Sequence, residues 1–363
     1  MNMNQTTKWA IAAVVVIVLV ILGITFGSNR EPENTQAIKI GAPLGLTGSS
    51  AVDALSIKRG IDLAVTDLSK KGVVIDVVYE DDGTDPKRTV SAVTKLINVD
   101  KVDFLIGPTW SFLTDAASPV FNQAKVVSFA PANTSEFSNG GQYGFYGATK
   151  NAQKRAPVTK WLKDNNATKV AIILDKGAWG ASNLSVFKAA AADAGAEVVF
   201  VEEIPFGQES SIPTILTKMV SAKPDVLLTT GYDQGMTLTI TKSQELQINI
   251  PILFATEIVT GLVKNKIVTL QSTDNFYLTN SVVDNSFRAK FKEVYGEEPG
   301  SYADRAYDGV MLLAEAMRKK DAGQSLDDFL RKETKYKGYG AVYDFDEKGD
   351  IVGGEWVITK LTQ

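Results

Sequence analysis

Histidine and cysteine are both absent from this chain, so the side chains that most often move protons near neutral pH, attack as thiolates or ligate transition metals are missing. Disulfides and a cysteine-linked lipid anchor go with them. The chemistry left is charge and hydrogen bonding, and it gathers in short segments that each follow an apolar run: PTWS with Trp110 and Ser111, ANTSE with Ala132 and Thr134, LDKGAWG with Trp179, TTGYDQG with Tyr232, and FATEIV with Glu257. Ser111 falls at the expected start of a helix, where unpaired N–H groups and the helix dipole favour an anion, and Thr134 with its neighbours could act in the same way. Each residue has a plainer role as well: Ser and Thr cap helices, strand-end aromatics cover a sheet edge, and a lone Glu is usually solvated. Together they describe a cleft with an anion site on one wall, a carboxylate on the other and aromatic faces between. No nucleophile and base pair stands out, so no catalytic residue, no cofactor and no enzymatic activity are expected.

These segments need a scaffold that brings strand ends together. From Ile38 onward β-rich runs alternate with amphipathic stretches: AIKIGAPLGL and a helix with Ile57, Ile61, Ala64, Val65 and Leu68; VVIDVVY and a helix with Val90, Val93, Leu96 and Ile97; VDFLIGP, then VVSFAP. A second series runs from KVAIILD through AEVVFVE and DVLLTTG to PILFA. The pattern predicts an α/β protein of two doubly wound, Rossmann-like lobes, whose ligands bind beyond the carboxyl ends of the parallel strands. A long helix is expected from about Tyr302 to Lys319, a shorter one near Leu326, and two strands around a turn in YDFDEKGDIVGGEWVIT.

The first segment reads as an address. Trp9 to Phe26 carries no charge and can just span a hydrocarbon core of about 30 Å, with Lys8 on its short N-terminal side. Residues 1–27 are therefore read as one N-terminal transmembrane helix, an uncleaved anchor rather than a cleaved signal, and 28–37 as a tether that leaves the remainder extracytoplasmic at the cell surface or in the periplasm. With 363 residues, 44% of them hydrophobic, that remainder is long enough for two cores. Lys and Arg number 38 against 42 Asp and Glu, a net charge of −4, so nucleic acid is not an expected partner.

The chain resembles the extracellular solute-binding proteins of the branched-chain amino-acid transport family, the leucine/isoleucine/valine-binding type. The resemblance covers nearly everything from Ile38 and rests on IKIG…LTG, YEDDGTDP, FLIGPTWS, FAPANTS, LDKGAWG, TTGYDQG, SYADRAYDGVMLLAEAM and YDFDEKGD in this order. It implies a type I periplasmic-binding-protein fold, with residues 38–147 and 281–342 in lobe 1, 148–280 and 343–363 in lobe 2, and crossovers near Gly147, near Asn280 and around Gly340 to Tyr343. By the same resemblance Ser111 and Thr134 would bind the α-carboxylate of an amino acid. The Ala132 carbonyl and Glu257 would bind its α-ammonium, and Trp179, Tyr232 and Tyr302 would close over it. The implied partner is the permease of an ABC importer. The alternative is a sensor ectodomain for amino acids or related molecules such as amides or urea, acting through a membrane partner.

Two positions depart from the family pattern. Asp53 stands where the leucine/isoleucine/valine binders place an aromatic, and Trp110 is bulky beside the carboxylate site. Asp53 in the pocket would favour a polar or basic ligand side chain; alternatively it caps the following helix and faces water. Asp344, Asp346, Gly349, Asp350 and Glu355 approximate a calcium loop, but Lys348 stands where a ligand belongs, so no metal is expected. Asp81, Asp82 and Asp85 are expected to cap a loop.

Overall fold

The computed structural model describes residues 37–361 apart from 49, 257, 265, 273, 274, 282, 283 and 353. The expected membrane segment lies outside the described residues, as does Glu257. Among the described residues no helix is long and apolar enough to cross a membrane.

The run IKIGAPL forms β1 (Ile38–Leu44), whose side chains are buried on both faces after Lys39, as in an internal parallel strand. Next comes α1 (Ala51–Lys70), which buries Ala54, Ile57, Ile61, Ala64 and Leu68 at three- and four-residue spacing. The first half continues with β2 (Ile75–Asp81), α2 (Pro86–Asn98), β3 (Phe104–Ile106), α3 (Ser111–Ala124), β4 (Val127–Ala130) and β5 (Gly144–Tyr146). The second series is α4 (Arg155–Asp164), β6 (Lys169–Asp175), α5 (Ala178–Ala194), β7 (Glu197–Ile204), α6 (Ile212–Ser221), β8 (Val226–Thr229), α7 (Asp233–Glu245), β9 (Ile252–Phe254), α8 (Ile258–Lys264) and β10 (Phe276–Ser281). The remainder holds α9 (Asn285–Tyr295), α10 (Ala303–Lys319), α11 (Leu326–Glu333), β11 (Tyr336–Lys337), β12 (Val342–Tyr343) and β13 (Trp356–Lys360).

The first sheet is parallel throughout, in the order β2-β1-β3-β4-β5. The second repeats that order as β7-β6-β8-β9-β10, again parallel, with β13 added antiparallel beyond β10. In this doubly wound order the connections diverge between the first and third strands, leaving a crevice at their carboxyl ends. Each half has one such switch point: between β1 and β3, and between β6 and β8.

After β10 the chain returns to the first half, where α10 packs on α1. Gly60 permits the approach, because a Cβ there would lie 2.1 Å from the Ala303 carbonyl oxygen. The expected two strands around a turn are β12 and β13, which pair with β11 and β10 rather than with each other, because between them the chain crosses from one half to the other. Phe345 and Ile351 form a single antiparallel bridge, and Asp350 bridges Tyr146 beside the first sheet. The following residues leave for the second sheet, where β13 runs from Trp356 opposite Ser281 to Lys360 opposite Tyr277. The edge of β10 offers a five-residue ladder, whereas the local turn closes on itself: Asp346 accepts the N–H groups of Lys348 and Asp350 at 2.9 and 3.0 Å.

Candidate functional site

The strand ends at the two switch points carry the residues singled out in the sequence. Trp110 ends the loop after β3 and is the N-cap of α3, making Ser111 the first helical residue. Tyr232 plays the same part after β8 for α7, and Trp179 is the second residue of α5 after β6. The Trp110 and Tyr232 rings meet edge-on with centroids 5.7 Å apart, so the two switch points face one another. Trp179 lies 5.2 Å from Tyr232, and Tyr302 lies 6.1 Å from Trp110. Tyr302 holds φ at +62°, a left-handed conformation disfavoured for a side chain of this size, immediately before α10.

None of the four helices that start at these strand ends, α1, α3, α5 and α7, has a side-chain cap. The same holds for α4, α6, α10 and α11, whereas α2 is capped by Asp85, which accepts the Arg88 N–H at 2.9 Å, and α9 by Asp284. Ser111 is the first residue inside α3 and not its cap, and of the opening N–H groups those of Leu113 and Thr114 bond back to the Trp110 carbonyl at 3.1 and 2.9 Å. The Ser111 hydroxyl lies against the Tyr232 phenol. Burial drives that phenol far above its ordinary pKa, with the Asp175 charge adding to the rise and Ser111 opposing it, so Tyr232 acts as a neutral hydroxyl. The Ser50 hydroxyl before α1 is likewise engaged, accepting from Trp110 Nε1 at 2.5 Å and sharing a bond with Thr84 at 2.8 Å.

Ala132 and Thr134 sit buried in the turn after β4, the strand next to β3. The Thr134 hydroxyl accepts the Glu136 N–H at 3.1 Å, the local role also open from the sequence. Asn133 ties the turn to the first turn of α3 through Thr114 at 2.9 Å, and Ser135 is held from the far side by Asp350, at 2.7 Å from its N–H. No solvent-facing role is available to Asp53: it is 1% exposed and lies in the first turn of α1, whose N-cap is Ser50. Its carboxylate meets Asp233, in the first turn of α7 on the opposite half.

Several residues at the seam were not legible in advance. Phe112 and Phe206 lie 5.6 Å apart with their rings tilted at 46°, and both contact Tyr232, extending the aromatic bridge. Asp175, at the end of β6, is pushed up to about 7, chiefly by burial and partly by Glu203. Lys154, 2% exposed, donates to the Ala255 carbonyl at 2.9 Å and to Asn183 at 3.3 Å, fixing the end of β9. TTGYDQG contains Asp233 beside Tyr232, and this adjacency was the only local signal. The calcium-like loop is occupied by protein: Lys150 lies 2.8 Å from Asp346 and 3.3 Å from Asp350. Asp81 receives the Thr47 and Gly83 N–H groups at 3.0 and 2.9 Å, the loop-capping role expected of its cluster.

Two doubly wound sheets with facing switch points define a bilobal binding protein, and the chain belongs to the periplasmic binding protein family, whose model matches residues 37–362. This is a family of solute-binding proteins rather than enzymes. Over 330 residues the chain is 26% identical to Leu/Ile/Val-binding protein homolog 2 of Brucella abortus, covering 86% of each. Its fold is similar to the branched-chain amino acid transporter substrate-binding protein LivJ of Streptococcus pneumoniae, solved with isoleucine, at a TM-score of 0.75 and 22% identity over 89% of this chain and 100% of that one. An ABC-transporter solute-binding protein of Rhodopseudomonas palustris, solved with 3,4-dihydroxybenzoic acid, gives a TM-score of 0.77 and 25% identity over 90% of this chain and 93% of that one.

Proposed function

We propose that this chain captures a free amino acid between two closing lobes, residues 38–147 with 281–342 and residues 148–280 with 343–363, and delivers it to the permease of an ABC importer. The observation that carries this reading is the pair of facing switch points bridged by Trp110 and Tyr232. A solute held there touches both lobes, binds the closed arrangement better than the open one, and shifts the equilibrium by that difference. Ser111, Thr134 and the opening N–H groups of α3 receive the α-carboxylate. Glu257 and the Ala132 carbonyl receive the α-ammonium, while Trp179, Tyr232 and Tyr302 cover the ligand. Residues 1–27 tether the protein to the membrane with the binding unit outside the cytoplasm.

The names of the relatives support an amino acid as the solute, and the place of Ser111 as the first residue of α3, at the switch point, supports the carboxylate subsite. Calorimetric titration of the full-length chain with free L-amino acids, their amides and their decarboxylated amines tests the reading. Binding of an amino acid that is lost in both analogues, and weakened by Glu257→Gln, is the expected result. Binding of a simple carboxylate with no amino acid bound would leave the fold intact and overturn the ligand class.

A further inference from the structure

At the switch point of the second sheet lies a small crevice with orphaned oxygens. A cavity of about 20 Å³ sits where β6 and β8 end, lined by Asp175, Thr229, Thr230 and Tyr232 and walled on its other side by residues of α6 and α7. That is room for one water-sized group. Thr229 is 0% exposed and Thr230 2%, and among the described residues neither hydroxyl has a hydrogen-bond partner; nor has Asp175 Oδ1. Asp175 Oδ2 is turned toward the start of α5, where a Cβ at Gly177 would lie 3.5 Å from it. Thr239, in the same lining, gives its hydroxyl to the Gly235 carbonyl one helical turn back, at 2.9 Å. A strand end offers no carbonyl in that position, and buried polar groups are rarely left alone, so Thr229 and Thr230 require a group from outside.

We infer that this crevice receives a side-chain hydroxyl of the solute, so that the solute is a hydroxylated amino acid. Tyr232 lines the crevice and its ring also meets Trp110 of the opposite sheet, so the cavity adjoins the solute site. A hydroxyl donates one hydrogen bond and accepts up to two, which matches a carboxyl oxygen and two O–H groups; an ammonium only donates, and a methyl does neither. Ile173, Ile204, Ile212 and Met236 make the rest of the wall apolar, which suits the carbon that carries the hydroxyl. A single water meets the three oxygens as well. A solute hydroxyl displaces it at little cost because it reproduces the same bonds, whereas an aliphatic group of equal size loses them. The crevice thus sorts solutes by one oxygen atom rather than by size.

This inference rests on the amino-acid reading above and fails separately from it. Titration of the full-length chain with L-serine against L-2-aminobutyrate, L-threonine against L-valine and L-homoserine against L-norvaline compares side chains that differ by an oxygen in place of a carbon, at different reaches. The hydroxylated member of at least one pair is expected to bind about 10- to 100-fold more tightly than its aliphatic partner. Thr229→Val and Thr230→Val keep the β-branched shape and remove the hydroxyl, and each is expected to bring that ratio toward one. Aliphatic members binding as tightly as hydroxylated ones in every pair overturns the inference, water then keeping the crevice, and leaves the amino-acid function standing. A preference that survives both threonine variants also overturns it, since the hydroxyl is then read elsewhere. If none of the six binds while another amino acid does, the inference fails alone; if no amino acid binds, both fail. The unsubstituted comparison needs no variant, so a variant that fails to fold does not spare the inference.

Discussion

Tyr232 stands edge-on to Trp110, with ring planes at 67° and centroids 5.7 Å apart, and the two rings come from the switch points of different sheets. Tyr232 also contacts Phe112, Trp179 and Phe206, so one phenol ring holds together the aromatic bridge between the halves. Aromatic pairs contribute about 0.5–1.5 kcal/mol each beyond their burial. Tyr232→Ala is therefore expected to weaken solute binding by about tenfold to a hundredfold, while Tyr232→Phe, which keeps the ring, loses much less. Calorimetry on the two variants checks this, and equal affinities for Ala and Phe would remove the ring from closure.

The seam should respond to pH. Burial pushes Asp233 up to about 6, against the opposing hydrogen bond from Asp53. Separation of the halves exposes Asp233 and returns it toward about 4. The closed arrangement thus holds the proton more tightly, gains stability as pH falls through about 6, and loses that contribution as pH rises. The groups facing this region are Asp53 on α1, Asp175 at the end of β6 with Glu203 beside it, and Lys264 and Arg59 further out. Small-angle scattering of the solute-free chain should give a larger radius of gyration at pH 7.5 than at pH 5, with the difference reduced in Asp233→Asn. A radius independent of pH would separate Asp233 from closure.

Asp308 is fully buried and gathers the chain around Gly340. It accepts the Tyr339 N–H at 2.9 Å, the Gly340 N–H at 2.7 Å and the Tyr343 hydroxyl at 3.0 Å. Asp308→Ala strands these donors in the interior and is expected to cost about 2–5 kcal/mol. The measurement is the urea midpoint at constant slope, and a loss under about 1 kcal/mol would mean that water or relaxation replaces the carboxylate.

Lys150 and Asp350 give a prediction about the C-terminal loop. Lys150 is partly exposed while Asp350 is fully buried, so Lys150→Ala is expected to cost about 1–3 kcal/mol, less than a fully buried pair. Calcium at millimolar concentration is expected to leave the melting temperature of the unsubstituted chain unchanged. A calcium-dependent rise would mean that the ion displaces the lysine. Asp350→Ala should also weaken solute binding, since it frees Ser135 in the turn that carries Ala132 and Thr134.

Local patterning in the sequence was enough for the two parallel sheets, because buried β-rich runs and amphipathic helices leave periodic signatures. It also placed Trp110, Ser111, Trp179 and Tyr232 at strand ends, where the doubly wound order makes ends converge. The contact of Asp53 with Asp233 was not legible, since neither residue lies in the other's periodic neighbourhood and only the tertiary fold brings α1 to α7. Asp53 itself stood open between pocket and cap, and its 1% exposure excludes the solvent-facing alternative. The strand at Trp356 to Lys360 was legible as a strand, but its partner was not: its pairing with β10 depends on an edge that the local sequence does not display.

That pairing bears on how the chain is made. Until β13 emerges, β10 presents an open strand edge on the second sheet, a template for pairing with other chains. The second sheet cannot complete itself during synthesis as its strands appear in order, because its last member is separated from it by three helices that pack elsewhere. Completion of the fold is therefore a late event, and a nascent or truncated chain lacking Trp356 to Lys360 leaves the β10 edge unpaired, whereas in the finished molecule β13 covers it and becomes the outer strand.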